Sequence, residues 1–165
     1  EASACLELAR PYADAAPSCW LLPIYHQFAA LAGCAAWPDL DPAARTALRA
    51  NIDLSLGELR KLAAHAPMNF AHRVSLVEAE LHRIDGDLPG ALALLERSIT
   101  QAQEVSWLPD IALAHELAAR CLVQLERGDD AAVRTRAARD LYARWGAHAK
   151  ARQLDASGLT DKAHP

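Results

Sequence analysis

Side chains able to do chemistry are spread along this chain of 165 residues without an obvious meeting point. His65 and His72 flank Pro67, and His82 stands almost three helical turns beyond His72. Zinc held on helices typically takes a pair at i, i+4 or a CxxC knuckle, and neither is found. Cys5, Cys19, Cys34 and Cys121 are widely spaced. They read as small buried hydrophobes in a reducing compartment rather than as disulfide partners or metal ligands. No metal and no cofactor is expected. Glu78, Glu80 and Glu116 are carboxylates, but acid–base work needs them desolvated together beside a nucleophile, and none accompanies them. The bland alternative is ion pairing with arginines of adjacent helices, with Arg73, Arg83 and Arg120 as candidates. Glu78 and His82, at i, i+4, would form a surface pair on one helix.

His115-Glu116 offers a His-acid pair but lacks the rest of a phosphotransfer domain. The chain has no Gly-rich phosphate loop followed by Lys and Ser/Thr, and no kinase catalytic-loop Asp and Asn. No catalytic residue is assigned, and an enzyme is not expected. What remains is surface. Trp107, Arg120 and Glu116 are the interaction candidates, Trp107 because a turn aromatic is the kind of side chain enriched in binding hot spots. Tyr142 and Trp145 fall on an apolar stripe and are expected inside.

The elements that must position these residues read as helices. Apolar residues make up 52% of the chain and aromatics only 5%, with Ala and Leu dominant, which suits close helix packing better than a pleated sheet. The net charge is −4 and the basic residues are scattered, so no nucleic-acid footprint is present. The chain opens on Glu1 rather than Met, which suggests a piece of a longer protein, and no signal peptide is recognisable. Residues 2–15 read as a short or irregular helix broken at Pro11. The run Cys19 to Trp37 is the most apolar, but His26 and Gln27 in its middle make it a core helix rather than a membrane span.

Asp41 and Pro42 signal a helix start. The stripe Leu48, Ile52, Leu56, Leu59 and Ala63 then carries a helix to about Ala64, stopped at Pro67. Asn69 is the expected cap of the next helix, with Phe70, Val74, Val77, Leu81 and Ile84 inward until Gly86. Asp87 caps another, with Ala91, Leu92, Leu95, Ile99 and Ala102 inward. A second hairpin runs from Pro109, through Ile111, Ala114, Ala118, Cys121, Leu122 and Leu125, to Gly128-Asp129. Its last helix carries Ala138, Leu141, Tyr142 and Trp145, with a left-handed cap at Gly146 and another turn or two from Ala147 to Leu154. The step from Gly86-Asp87 to Gly128-Asp129 matches the longer period of stacked helical pairs, about 40–47 residues.

Particular strings resemble a known family. Leu62-Ala63-Ala64-His65-Ala66-Pro67-Met68-Asn69-Phe70-Ala71-His72 is similar to a segment of very large bacterial sensor kinases that join a serine/threonine-kinase-like region, an AAA-type ATPase and a histidine kinase. Glu78-Ala79-Glu80, Ala112 to Ala119, and Tyr142 to Ala147 with Lys150 and Leu154 extend the likeness across about Leu59 to Leu154. The family more often has Asn where His115 stands. The resemblance implies the tetratricopeptide-like helical region between the ATPase and the sensory and kinase domains, without their catalytic machinery.

The expectation is an all-α fold of stacked antiparallel helical hairpins, a TPR-like α-solenoid of about three helix pairs. Residues 1–154 would form one domain, with the better-defined repeats at 67–146 and a frayed tail at 155–165. The expected role is a non-catalytic interaction and signal-relay scaffold in a cytoplasmic bacterial signalling protein. Its partner would be another protein or neighbouring domains of the parent, with no nucleic acid and no membrane span. The alternative is a ligand-sensing domain with an apolar pocket near residues 19–37, beside Trp20, Phe28 and Trp37.

Overall fold

Asp41 and Pro42 begin a helix as their types dictate. The Asp41 carboxylate accepts from the backbone N–H of Ala43 and of Ala44, each at 2.9 Å, while Pro42 has no N–H to leave unsatisfied. The computed structural model describes Cys5, Leu8, Ala9, Tyr12 and residues 21–157. Its elements are α1 (Leu21–Ala36), a 3-10 turn (Trp37–Asp39), α2 (Pro42–His65), α3 (Pro67–Ile84), α4 (Leu88–Glu104), α5 (Leu108–Gln124), α6 (Gly128–Trp145) and α7 (His148–Ala156). The fold is all-α, with no strand among the described residues. The bounds of the helix expected within residues 2–15 lie outside them. The chain divides into two compact units, Glu1–Val77 and Glu78–Pro165.

In the first unit α1 packs on α2. Ile52, Leu56 and Leu59 of the expected stripe are buried, with Leu48 and Ala63 at its partly covered ends. Gly33 lets the two helices approach: a Cβ there would stand 2.9 Å from Ile52 Cγ1 and 3.1 Å from Leu48 Cδ1. In α1, Ala30, Gly33 and Cys34 are buried but Leu21 and Phe28 stay about half exposed. No helix among the described residues is long and apolar enough to cross a membrane.

Asn69 does not cap α3. That helix starts at Pro67, where a missing N–H costs nothing, so Asn69 lies inside the first turn and donates its own N–H to Ala66 O at 3.0 Å.

The second unit repeats in equal steps. Left-handed backbone recurs at Gly86 (φ 87°), Ser106 (φ 55°), Glu126 (φ 59°) and Gly146 (φ 94°). After each, the N–H of Asp87, Trp107, Arg127 or Ala147 returns to the carbonyl of His82, Ala102, Leu122 or Tyr142 at 2.8–2.9 Å. This bond is the signature of a Schellman turn, which satisfies carbonyls that a helix end leaves orphaned. The helices that follow start at Leu88, Leu108, Gly128 and His148, and the fourth residue of each, Ala91, Ile111, Ala131 or Ala151, is buried. α4 packs on α5, α5 on α6 and α6 on α7.

This register corrects the repeat read from the two Gly-Asp pairs. Gly86 takes the turn and Asp87 caps α4, its Oδ1 accepting from Gly90 N–H at 3.0 Å, but Gly128 is the first residue of α6. The left-handed position of that turn belongs to Glu126, at a backbone cost of about 1 kcal/mol for a residue with a Cβ. His82 also differs from expectation: its Nδ1 meets Asp87 Oδ2 at 2.7 Å across the turn. Tyr142 is buried as its stripe position predicts. Trp145 is 53% exposed, because α6 ends there, one residue before the turn. α7 reaches Ala156, beyond the expected Leu154, and residues 158–165 of the expected tail lie outside the described residues.

Candidate functional site

Two adjacent polar residues of α5, His115 and Glu116, make polar ties between helices of the second unit. Glu116 is buried, yet its carboxylate is fully engaged. Oε1 accepts from Arg120 Nη2 at 2.6 Å and from Lys150 Nζ at 2.9 Å, and Oε2 accepts from the Tyr142 hydroxyl at 3.0 Å. One side chain of α5 therefore ties to α6 through Tyr142 and to α7 through Lys150. Lys150 Nζ also lies 6.0 Å from the Tyr142 ring centroid, within cation–π range. Burial alone would push the Glu116 carboxyl up. The hydrogen bond from Lys150, the charges of Arg120 and Lys150 and the hydroxyl of Tyr142 outweigh it and hold the group below its ordinary value.

The preceding residue serves another face. Arg134 of α6 donates through Nη1 to His115 Nδ1 at 3.3 Å and through Nη2 to Glu96 of α4. A guanidinium can only donate, so Nδ1 accepts and a neutral ring carries its proton on Nε2. Burial and the Arg134 charge push the imidazole down to about 4. His115 and Glu116, read in the sequence as a His-acid pair, thus belong to two separate ties, one joining α4, α5 and α6 and the other α5, α6 and α7.

These environments set Cys121, Tyr142, Glu116 and His115 away from neutral-pH chemistry. Burial, with Glu80 nearby, pushes the Cys121 thiol up to about 11, which suppresses a thiolate. Burial beside the Glu116 carboxylate raises the Tyr142 phenol. Glu116 is held ionised and His115 neutral, so neither is poised to exchange protons near pH 7. Among the described residues no group of three or more His, Cys, Asp or Glu is placed to hold a metal ion. Cys34 and Cys121 are buried as expected, Cys5 is exposed against expectation, and Cys19 lies outside the described residues.

Glu80 and Glu116 find partners closer than expected. Glu80 takes Arg83 of its own helix at 2.9 Å, and Glu116 takes Arg120, again on one helix. The three interaction candidates do not form one patch. Trp107 precedes α5 and is 42% exposed, whereas Arg120 lies near the far end of that helix, about 20 Å along the axis. Arg120 is half exposed and Glu116 is inside. Sequence reasoning did not identify Lys150, Tyr142 and Arg134 as the partners of Glu116 and His115, since separations of 34, 26 and 19 residues carry no local signal.

In the first unit an open groove of about 510 Å³ lies beside Trp37, lined also by Pro42, Arg45, Thr46, Arg49, Ala50 and Asp53. Arg45 spans it, 5.7 Å from the Trp37 ring centroid and bonded to Trp37 O and Pro38 O at 3.1 and 3.2 Å. Arg45, Arg49 and Asp53 give its lining charge; of the residues beside which an apolar pocket was expected, Trp37 lines it, Phe28 does not, and Trp20 lies outside the described residues. No family model matches the chain, and neither does any curated protein or solved structure.

Proposed function

We propose that this chain is a non-catalytic protein–protein interaction and signal-relay segment of a cytoplasmic bacterial signalling protein, built as a TPR-like α-solenoid of about three helix pairs. The observation that carries the reading is the even recurrence of left-handed turns in the second unit. Units that bury each other's sides in series leave their ends and outer faces for docking. Each turn reverses the chain, so the turns at Ser106 and Gly146 share one end of the stack and those at Gly86 and Glu126 share the other. The first end carries Val105, Trp107 and Trp145, all at least 36% exposed, and the second carries Asp85, Asp87, Glu126 and Arg127. Exposed tryptophans at one end are the composition that interface hot spots favour. The engaged carboxylate, neutral imidazole and suppressed thiol of α5 support a role without catalysis.

The resemblance in sequence to the helical region of large sensor kinases supplies the partner class. The test is calorimetric titration of the full chain with ATPase and histidine-kinase regions of that type encoded alongside it. The expected result is binding that Trp107→Ala or Trp145→Ala weakens tenfold or more. Binding to neither region, or binding indifferent to both substitutions, overturns the proposal.

A further inference from the structure

α7 has nine residues, below the length of about 12–15 at which an isolated helix becomes even marginal in water. It is helical because it is docked. Its apolar anchor is small, only Ala151 and Leu154 being buried, and these complete a cluster with Ala112 of α5 and Ala138 and Tyr142 of α6. The alanines keep this seat a shallow groove, and Tyr142, with the partly buried Leu141 packed against the same cluster, supplies its large side chains. At the head of the groove Lys150 reaches the buried Glu116 carboxylate at 2.9 Å. The other tie, Arg139 Nε to Asp155 Oδ1 at 3.1 Å, joins two half-exposed side chains and is open to screening by salt. The chain enters α7 through Gly146, whose left-handed backbone ends α6.

We propose that the groove between α5 and α6 is a helix-binding site whose in-chain ligand is α7, and that a partner's short helix of the same chemistry takes its place. That chemistry is read from α7 itself: a basic residue, a small residue one position on and a leucine four positions on, as in Lys150, Ala151 and Leu154. Glu116 at the head of the groove selects the cation and rejects an acid there, since a second carboxylate would face a buried one. Ala112 and Ala138 set the clearance for the small residue. Short amphipathic helices entering apolar grooves are a recurrent mode of recognition. α7 acts as a strap that must leave before the partner enters, so the wild-type site is self-occupied.

The inference adds a second docking site to the interaction role proposed above, on which it rests. Its test addresses that groove alone, so a chain that fails it can still bind the kinase or ATPase regions through the tryptophan end. A fluorescent peptide with the sequence from Gly146 to Ser157 is titrated, by anisotropy, against the full chain and its double variant Ala151→Asp/Leu154→Asp, in which the strap is disabled. The double variant should bind, the wild type at least tenfold more weakly, and a peptide carrying Lys150→Glu should bind neither. Hydrogen exchange of the wild type guards against misfolding of the variant. Amides of residues 150–156 should exchange at least tenfold faster than those of residues 112–122, and faster still in high salt. No peptide binding by a double variant that keeps protection in α5 overturns the inference, as does exchange of α7 only together with the rest of its unit.

Discussion

Replacing Glu116 by Gln tests whether charge, rather than shape, holds the last three helices together. The substitution keeps an oxygen for the Tyr142 hydroxyl but removes the negative charge facing Lys150 and Arg120. Lys150 is 31% exposed and meets a carboxylate only 6% exposed, so its charge-assisted bond contributes about 1–2 kcal/mol. Arg120 is 54% exposed, which discounts its share to the surface-pair range of about 0.2–1 kcal/mol. Together these give about 2 kcal/mol, or about 30-fold in the opening equilibrium of α5 to α7, since each 1.4 kcal/mol is tenfold. Hydrogen exchange at pH 7, corrected for intrinsic rates, should show that loss of protection in α5 to α7.

The dependence on pH fixes the origin of the effect. A carboxyl held below its ordinary value of 4.5 contributes stability that is fully present above that value and is lost as pH falls through the lowered folded one. The protection gap between wild type and E116Q should therefore narrow as pH falls from 4.5 to 3. Equal protection at pH 7, or a gap unchanged at pH 3, would refute the reasoning.

Two other perturbations follow from the geometry. The His115 imidazole, pushed down to about 4, should stay neutral well below pH 6.5 in an NMR titration. Because the unfolded chain takes up that proton near pH 6.5, the folded form should lose stability as pH falls from 6.5 to 4, and His115→Asn should flatten that part of the curve. At Gly33 an added Cβ alone would press on Ile52 and Leu48, so Gly33→Leu should destabilise the α1–α2 pair by about 1–3 kcal/mol in denaturation followed by exchange in those helices. An unchanged α1–α2 pair would mean that the close approach is not needed.

Residues that act on their immediate neighbours were legible in the sequence. Asp41 with Pro42, Gly86 with Asp87, and Gly146 all work within a few positions, and each takes its expected place as cap or left-handed turn. The stripe of α2 was legible for the same reason, since helical period alone fixes which side chains share a face. The even register of the second unit was hidden because, of its turns, only those at Gly86 and Gly146 carry glycine. Ser106 and Glu126 occupy left-handed backbone that their side chains disfavour, and Gly128, just beyond Glu126, imitates the missing signal. Trp145 sits on the right stripe at the wrong place, at the very end of α6. Glu116 was recognised as a residue able to pair, but its partner Lys150 lies a helix and a turn beyond local reach, and only packing brings them together.

Left-handed turns recur in equal steps at Gly86, Ser106, Glu126 and Gly146, so the turn before α6 belongs to Glu126 and not to Gly128. Denaturation of two single variants, followed by exchange in α5 and α6, tests this directly. Glu126→Gly should stabilise by about 0.5–1 kcal/mol by relieving strain. Gly128→Ala, whose new Cβ meets open space, should be neutral or stabilising. Loss of stability in Gly128→Ala together with Glu126→Gly would place the turn at Gly128 and contradict the register.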